Sequence, residues 1–339
     1  MPLLRCSAPI SVQFELTYRC NCDCFFCYTH LGPPPTEELA TGEILGILHE
    51  LKTAGVHSVN FNGGEPLLRE DFVEIAGNAC RLGLDLHLNT NGTLLSDSLA
   101  SDLQDLLPSV CVSLLDPTPS GHDRLVGYDG AFHKTIKGIQ ILRRHGIAVE
   151  VNTAASALNF EHLDDIARIA VENGATAFLV TRYVVTSDRY AHLALNTRQT
   201  LAMLRSLRDI EATLPGLERI SLPGPIPLCA VPSDLRDCLR RWNVQCSVGF
   251  GMCRIDPAGN VSPCTILAAP VFGNLRNQSF HEIWTSAEWE RFVQCDHLPE
   301  RCMSCESLAE CRGGCPGYRH ALAGLTTVSR EHASEVQYE

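Results

Sequence analysis

The stretch Thr17-Tyr-Arg-Cys-Asn-Cys-Asp-Cys-Phe-Phe-Cys-Tyr28 follows directly on an apolar, strand-like run, Ile10–Leu16. It places Cys20, Cys24 and Cys27 in a C-x3-C-x2-C pattern. Three thiolates this close together in a loop can hold three irons of a cubane [4Fe–4S] cluster. The fourth iron then has no protein ligand and is open to a substrate or cofactor, whereas a closed electron-transfer cluster calls for a fourth Cys at a matching distance. The competing reading is half of a zinc site, although zinc sites generally pair C-x2-C with a second C-x2-C or a His pair.

Working outward, the 339 residues suffice for one large or two medium domains with a substantial core. A formal net charge of −12 argues against nucleic acid or an anionic membrane surface as the main partner, because both call for a basic face. The 17 cysteines are far more than a soluble chain of this size carries, and they suggest either disulfides or metal ligands. The segment Met1–Ile10 has no apolar run of signal-peptide length, and no stretch approaches a membrane span. Clustered cysteines in a cytoplasmic, oxygen-sensitive protein are the expectation that follows.

Residues 10–184 alternate between β-branched runs and amphipathic stretches. Strands are predicted at Ile10–Leu16, Ser58–Asn62, Asp85–Thr90, Val110–Leu115, Ala148–Thr153 and Ala177–Tyr183, with helices near 41–54, 70–82, 96–106, 131–145 and 161–173. Gly55, Gly83, Gly146 and Gly174 stand where left-handed helix terminators are expected. Strand and helix repeated at this spacing mean parallel βαβ units, and six strands suit an open, partial (β/α)6 barrel of the α/β class. Ligands of such barrels sit at the C-terminal strand ends. A helix near 197–213 follows, with Thr197 as N-cap. The Pro- and Gly-rich stretch Pro215–Pro232 then reads as a linker or active-site wall. From Cys229 onward the chain is cysteine-rich and reads as too loop-rich for a hydrophobic core of its own, so that metal clusters would hold it together. The expected boundaries are a lead-in at 1–9, the barrel at 10–213, a linker at 214–244, the cysteine-rich domain at 245–320 and a polar tail at 321–339.

Gly63-Gly64-Glu65-Pro66 follows the second strand. Paired glycines let the backbone approach a ligand closely, and the adjoining carboxylate can accept hydrogen bonds from an ammonium group. Alone this is a weak turn signal. Together with the cysteine loop it resembles the radical S-adenosylmethionine (radical SAM) superfamily, in which this element holds the methionine amino group. Asn89-Thr90-Asn91-Gly92, otherwise a common turn sequence, is similar to the family's polar segment beside the cofactor. Ser113 and Asn152 resemble residues that hydrogen-bond the cofactor's ribose or carboxylate, with strand-end capping as the plain alternative. Phe26 resembles the residue whose backbone meets the adenine. Where the family commonly has His-Asp-x-x-Arg-Gly, this chain reads His122-Asp-Arg-Leu-Val-Gly127, so Arg124 is the candidate partner of the methionine carboxylate.

The C-terminal cysteines resemble the family's SPASM extension, which holds up to two auxiliary [4Fe–4S] clusters. Cys246 is followed by Gly259 and Cys264, and further on comes Cys302-x2-Cys305-x5-Cys311-x3-Cys315. The resemblance implies that Cys246, Cys253, Cys264 and Cys315 ligate one cluster, and that Cys302, Cys305 and Cys311 hold three irons of another. No cysteine follows Cys315, which leaves His320 or Cys295 as candidate fourth ligands, an open iron, or no second cluster. A zinc ribbon at Cys302–Cys315 is the alternative. Cys229 and Cys238, in the expected wall, are candidate hydrogen-atom donors to a substrate radical. Cys22, Cys80, Cys111 and Cys295 otherwise read as small buried side chains.

The resemblance implies reductive cleavage of S-adenosylmethionine to a 5′-deoxyadenosyl radical, with a flavodoxin or ferredoxin system as electron donor and hydrogen abstraction from an unactivated carbon. Only nine residues precede the first strand, which points away from an N-terminal leader-binding domain. The expectation is therefore a small-molecule substrate, a sugar or nucleoside-sugar of an antibiotic pathway, undergoing epimerisation, dehydrogenation or decarboxylation. The alternatives are a maturase of a ribosomal peptide with a separate leader-binding partner, and a non-catalytic iron–sulfur or zinc protein.

Overall fold

Alternation along the strands decides which face of the sheet is covered. In β1 (Ser11–Thr17) the side chains of Val12, Phe14 and Leu16 are buried on one face. The same period-two pattern runs through β2 (Ser58–Gly63), β3 (Asp85–Thr90), β4 (Ser109–Ser113), β5 (Ala148–Ala155) and β6 (Ala175–Arg182). Val59, Phe61, Leu86, Leu88, Val110, Val112, Val149, Val151, Phe178 and Val180 complete that apolar face. The opposite face carries Gln13, Asn60, Asn89, Ser113, Asn152 and Thr181, all half-buried, so it is a polar lumen. The computed structural model describes residues 6–31, 37–185, 188–266, 270–293, 300–315 and 317–318.

Helices α1 (Thr41–Ala54), α2 (Phe72–Arg81), α3 (Asp97–Leu103), α4 (Pro119–Val126), α5 (Ala131–Arg144) and α6 (Leu163–Asn173) connect the six parallel strands. The predicted strands and helices match these to within a few residues, and the four predicted terminator glycines all have positive φ. Helix α4 was not predicted. It begins at Pro119 under a Thr118 side chain that accepts from Gly121 N, and it ends on left-handed Gly127. Helix α7 (Thr197–Thr213) is capped by Asn196 rather than Thr197, through a reciprocal box with Gln199.

The sheet does not stop at six strands. β7 (Arg219–Ser221) adds in parallel to β6, and α8 (Ser233–Trp242) follows. β8 (Met252–Ile255) then adds in parallel to β1, with β9 (Asn260–Ser262) and β10 (Gly273–Asn274) antiparallel beyond it. One ten-stranded sheet results, ordered β10-β9-β8-β1-β2-β3-β4-β5-β6-β7. The C-terminal region is thus stitched to the barrel edge through its backbone.

It also buries apolar side chains in continuity with the barrel core, contrary to the expectation that metal clusters would hold it. Phe280 and Trp284 on α9 (Phe280–Trp284) and Trp289 on α10 (Ala287–Val293) are all buried. The Trp284 and Trp289 rings lie 4.7 Å apart and Phe272 lies 5.0 Å from Trp289. Trp289 Nε1 donates to Gly249 O at 2.6 Å, so its one polar atom is satisfied. Sequence periodicity missed this cluster because its aromatics sit on five- and seven-residue helices too short to show a period. Two short helices, α11 (Glu300–Met303) and α12 (Leu308–Cys311), carry the last cysteine run. Among the described residues no helix is long and apolar enough to cross a membrane.

Candidate active site

The cysteine loop leaves the C-terminal end of β1 and is pinned from both sides. From β2, Gly64 N donates to Thr17 O at 2.6 Å and Glu65 N to Arg19 O at 2.8 Å. A Cβ on Gly64 would stand 2.3 Å from Arg19 O, so this approach requires glycine. From α4, Val126 O accepts from Asp23 N at 2.8 Å and from Cys24 Sγ at 3.9 Å. From β3, Asn91 Nδ2 donates to Asn21 Oδ1 at 2.8 Å and reaches Cys20 Sγ at 4.0 Å. Phe25 and Phe26 meet edge to face at 5.2 Å, and Phe25 extends to Tyr183 and Tyr190 beyond β6.

The three thiols of the pattern lie close enough for the charges of Cys27 and Cys20 to act on Cys24. Burial pushes the Cys24 and Cys27 thiols up, while hydrogen bonds from the Cys22 thiol, and from its backbone N–H at 3.4 Å, pull Cys20 down to about 6. Cys22, left as filler by the spacing argument, is therefore a neighbour of the first ligand. Among the described residues no three His, Cys, Asp or Glu side chains converge tightly enough to chelate one ion. A Zn–S length of about 2.3 Å would draw thiolates to within about 4 Å of each other, whereas a cluster offers each thiolate its own iron. Three thiols on one loop suit a polynuclear cluster, which takes one thiolate per iron.

Glu65 stands in the turn that follows β2. It is fully buried, and its carboxylate accepts from Thr90 Oγ1 and Asn91 N at 2.8 Å and from Leu67 N at 3.1 Å. Burial nonetheless raises it to about 7. All three donors are protein groups, so the carboxylate ties β2 to β3 beneath the cysteine loop. Ser113 and Asn152 are register partners on neighbouring strands, and Thr181 Oγ1 donates to Asn152 Oδ1 at 2.9 Å. Asn89 lies on the same lumen face. Arg124, by contrast, is exposed on α4 and makes no hydrogen bond or ion pair among the described residues.

The C-terminal cysteines fall into two groups. Cys246 feels the charges of Cys315 and Cys264, and its thiol is pushed up to about 12 by burial. Cys253, expected with them, pairs with Val12 in register, faces the covered side of the sheet and is completely buried among apolar residues. Only burial acts on its thiol, so the expected four-cysteine set is three here. Arg312, in left-handed conformation at φ 51°, donates to Cys246 O at 3.2 Å and lies over Phe250, bringing positive charge to this group. Sequence reasoning missed Arg312, although the run Cys311-Arg-Gly-Gly-Cys315 marks an unusual turn. The second group, Cys302, Cys305 and Cys311, lines one cavity together with Cys229 and with Cys315, which stands between the two groups. Cys238 is buried on α8, where Arg241 Nη2 donates to its sulfur at 3.5 Å. His320 and Cys295 lie outside the described residues, as does the predicted polar tail.

Between barrel and extension, Glu15 is fully buried against Arg254 of β8, with Nε–Oε1 2.8 Å and Nη2–Oε2 2.6 Å. Arg254 also donates to Tyr18 Oη at 2.8 Å. Burial raises the Glu15 carboxyl despite this pairing.

Residues 14–171 match the radical SAM superfamily, and residues 246–306 match SPASM, an iron–sulfur cluster-binding domain. The AdoMet-dependent heme synthase of Methanosarcina barkeri is 30% identical over 341 residues, covering 94% of each chain. The PqqA peptide cyclase of Xanthomonas campestris pv. campestris is 30% identical over 329 residues, covering 93% of this chain and 84% of that protein. Among solved structures, anSMEcpe with bound AdoMet superposes with a TM-score of 0.73 at 20% identity, over 92% of this chain and 90% of that one. Streptococcus suis SuiB bound to its precursor peptide SuiA gives 0.72 at 18% identity, over 92% and 72%. These two superpositions speak for the fold, and the sequence matches carry the family: this chain is a radical SAM enzyme, using S-adenosylmethionine with a [4Fe–4S] cluster, and it bears a C-terminal SPASM domain for auxiliary clusters.

Proposed function

We propose that this enzyme modifies a ribosomally synthesised peptide, forming or oxidising a bond at an unactivated carbon of the substrate. The observation that carries this reading is the 30% identity to a PqqA peptide cyclase across 93% of the chain. The sugar or nucleoside-sugar substrate expected from the sequence has no support among the relatives named above.

Cys20, Cys24 and Cys27 hold the catalytic cluster, with one iron left for S-adenosylmethionine. When bound, this pair supplies a radical able to remove a hydrogen atom from an unreactive carbon. The protein's own part is binding, orientation and exclusion of water. Glu65 acts as a positioning residue: by holding Thr90, Asn91 and Leu67 it fixes the backbone of Gly63 and Gly64 beside the cofactor. Asn89, Asn91, Ser113 and Asn152 offer hydrogen bonds along the lumen, and the Phe25–Phe26 pair closes one wall. A small reduced flavodoxin or ferredoxin is the proposed electron source.

The test is anaerobic incubation of the reconstituted enzyme with dithionite, S-adenosylmethionine and the short peptide encoded beside its gene, read by mass spectrometry. A peptide lighter by a pair of hydrogens is expected. Release of 5′-deoxyadenosine with every candidate peptide unchanged would contradict the proposal. The heme-synthase relative, matched over 94% of both chains, favours a second reading, which the same assay separates by measuring heme formation.

A further inference from the structure

The segment before α8 runs alongside the last cysteine turn. Cys315 N donates to Pro225 O at 2.9 Å, and Leu228 N donates to Cys311 Sγ at 3.5 Å. Between these bonds a Cβ on Gly314 would stand 2.7 Å from Pro227, so the two backbones are in close contact. Cys229 is the next residue along this seam, exposed, in the short turn Leu228–Ala230. Its position is fixed on both sides, by Pro227 before it and by Pro232 and α8 after it.

This seam forms one wall of a cavity of about 190 Å³ lined by Cys229, Cys302, Cys305, Cys311 and Cys315, of which Cys315 also acts on Cys246 in the other group and so leaves Cys229 as the remaining thiol. A tetrahedral zinc with sulfurs at about 2.3 Å occupies a sphere of only roughly 50 Å³, so four thiolates around one ion would leave little open space. The cavity is larger than one ion needs. Arg182, Arg236 and Arg240 also line it, bringing cationic side chains to a place where thiolates would gather negative charge.

We propose that Cys229 is the fourth thiolate of the second auxiliary cluster. Cys302, Cys305, Cys311 and Cys229 each lose a thiol proton and take one iron of a [4Fe–4S] unit. The Leu228 N–H to Cys311 sulfur bond belongs to the kind that tunes such a cluster's potential. A thiolate bound to iron has no hydrogen atom to give, so this role excludes Cys229 as donor to a substrate radical. The inference rests on the SPASM assignment and is independent of the peptide substrate.

Iron, labile sulfide and electron paramagnetic resonance spectra of the anaerobically reconstituted full chain test it, with Cys80→Ala as a control outside the cavity. Cys229→Ala is expected to lose about four irons and four sulfides per chain, or to show a three-iron signal, matching Cys302→Ala. In the unmodified protein, iodoacetamide is expected to label Cys229 after chelation of iron but not in the loaded form. This second measurement decides the matter alone if Cys229→Ala does not fold. Iron, sulfide and spectra unchanged in Cys229→Ala, or equal labelling of Cys229 in loaded and stripped protein, would overturn the assignment. An unmodified chain that binds no iron at all would instead refute the SPASM reading, and a failed peptide assay would touch neither.

Discussion

Glu65 is a carboxyl group that water cannot reach, held by three donors of the protein itself. Replacing it with Ala strands these donors, and a loss of about 1.5–3 kcal/mol in unfolding free energy is expected, the range for hydrogen bonds to charged groups. Denaturant melts of the apo-protein check this. A variant that melts normally but binds S-adenosylmethionine weakly would mean a direct contact with the cofactor instead. His122 gives a pH signature. It is buried, its Nδ1 accepts from Leu115 N at 3.2 Å, and burial depresses it to about 4. Between pH 6.5 and 4 the unfolded chain binds the proton and the folded one does not, so stability falls as pH falls through that window. The loss is about 3 kcal/mol from this residue. His122→Asn, which keeps an acceptor but cannot titrate, is expected to remove that part of the slope in melts at pH 6.5 and 4.5. At this scale spacing alone singles out Cys20, Cys24 and Cys27 as one loop, but it could not show that Cys253 faces the covered side of the sheet. The protein donors of Glu65 were not legible, because they come from Thr90 and Asn91 at the end of a neighbouring strand.

The parallel strand-and-helix units were legible almost to the residue, since Val12, Phe14 and Leu16 on β1 and the left-handed glycines after α1 and α6 are local signals. Helix α4 was not read as such because its eight residues, with polar Ser120, Asp123 and Arg124, show little apolar period, although Thr118-Pro119 is a start signal. The placement of β8 beside β1 had no local signal at all: the two segments lie some 240 residues apart and meet only in the folded chain. The loop carrying the first cluster depends on such contacts. Gly64→Ala would put a methyl group into the Arg19 carbonyl. It is expected to cut iron incorporation at Cys20, Cys24 and Cys27 while leaving the C-terminal cysteines loaded. Iron counts on this variant, in a background where the C-terminal cysteines are intact, would show about one cluster's iron missing.

One ten-stranded sheet runs through the barrel and the C-terminal region, and Glu15–Arg254 is the charged joint between β1 and β8. Arg254→Ala leaves a carboxylate buried without its partner, and a loss of about 3–5 kcal/mol is expected, read as a fall in the unfolding midpoint. Composition argues against nucleic acid as a main partner, but neither it nor the cysteine spacing chooses between sugar and peptide. The chemistry itself is open to a direct measurement. Anaerobically reconstituted enzyme given dithionite and S-adenosylmethionine should release 5′-deoxyadenosine, and Cys20→Ala, Cys24→Ala and Cys27→Ala should each abolish that release. Cleavage that persists in all three variants, or fails in fully iron-loaded enzyme, would contradict a radical site at this loop.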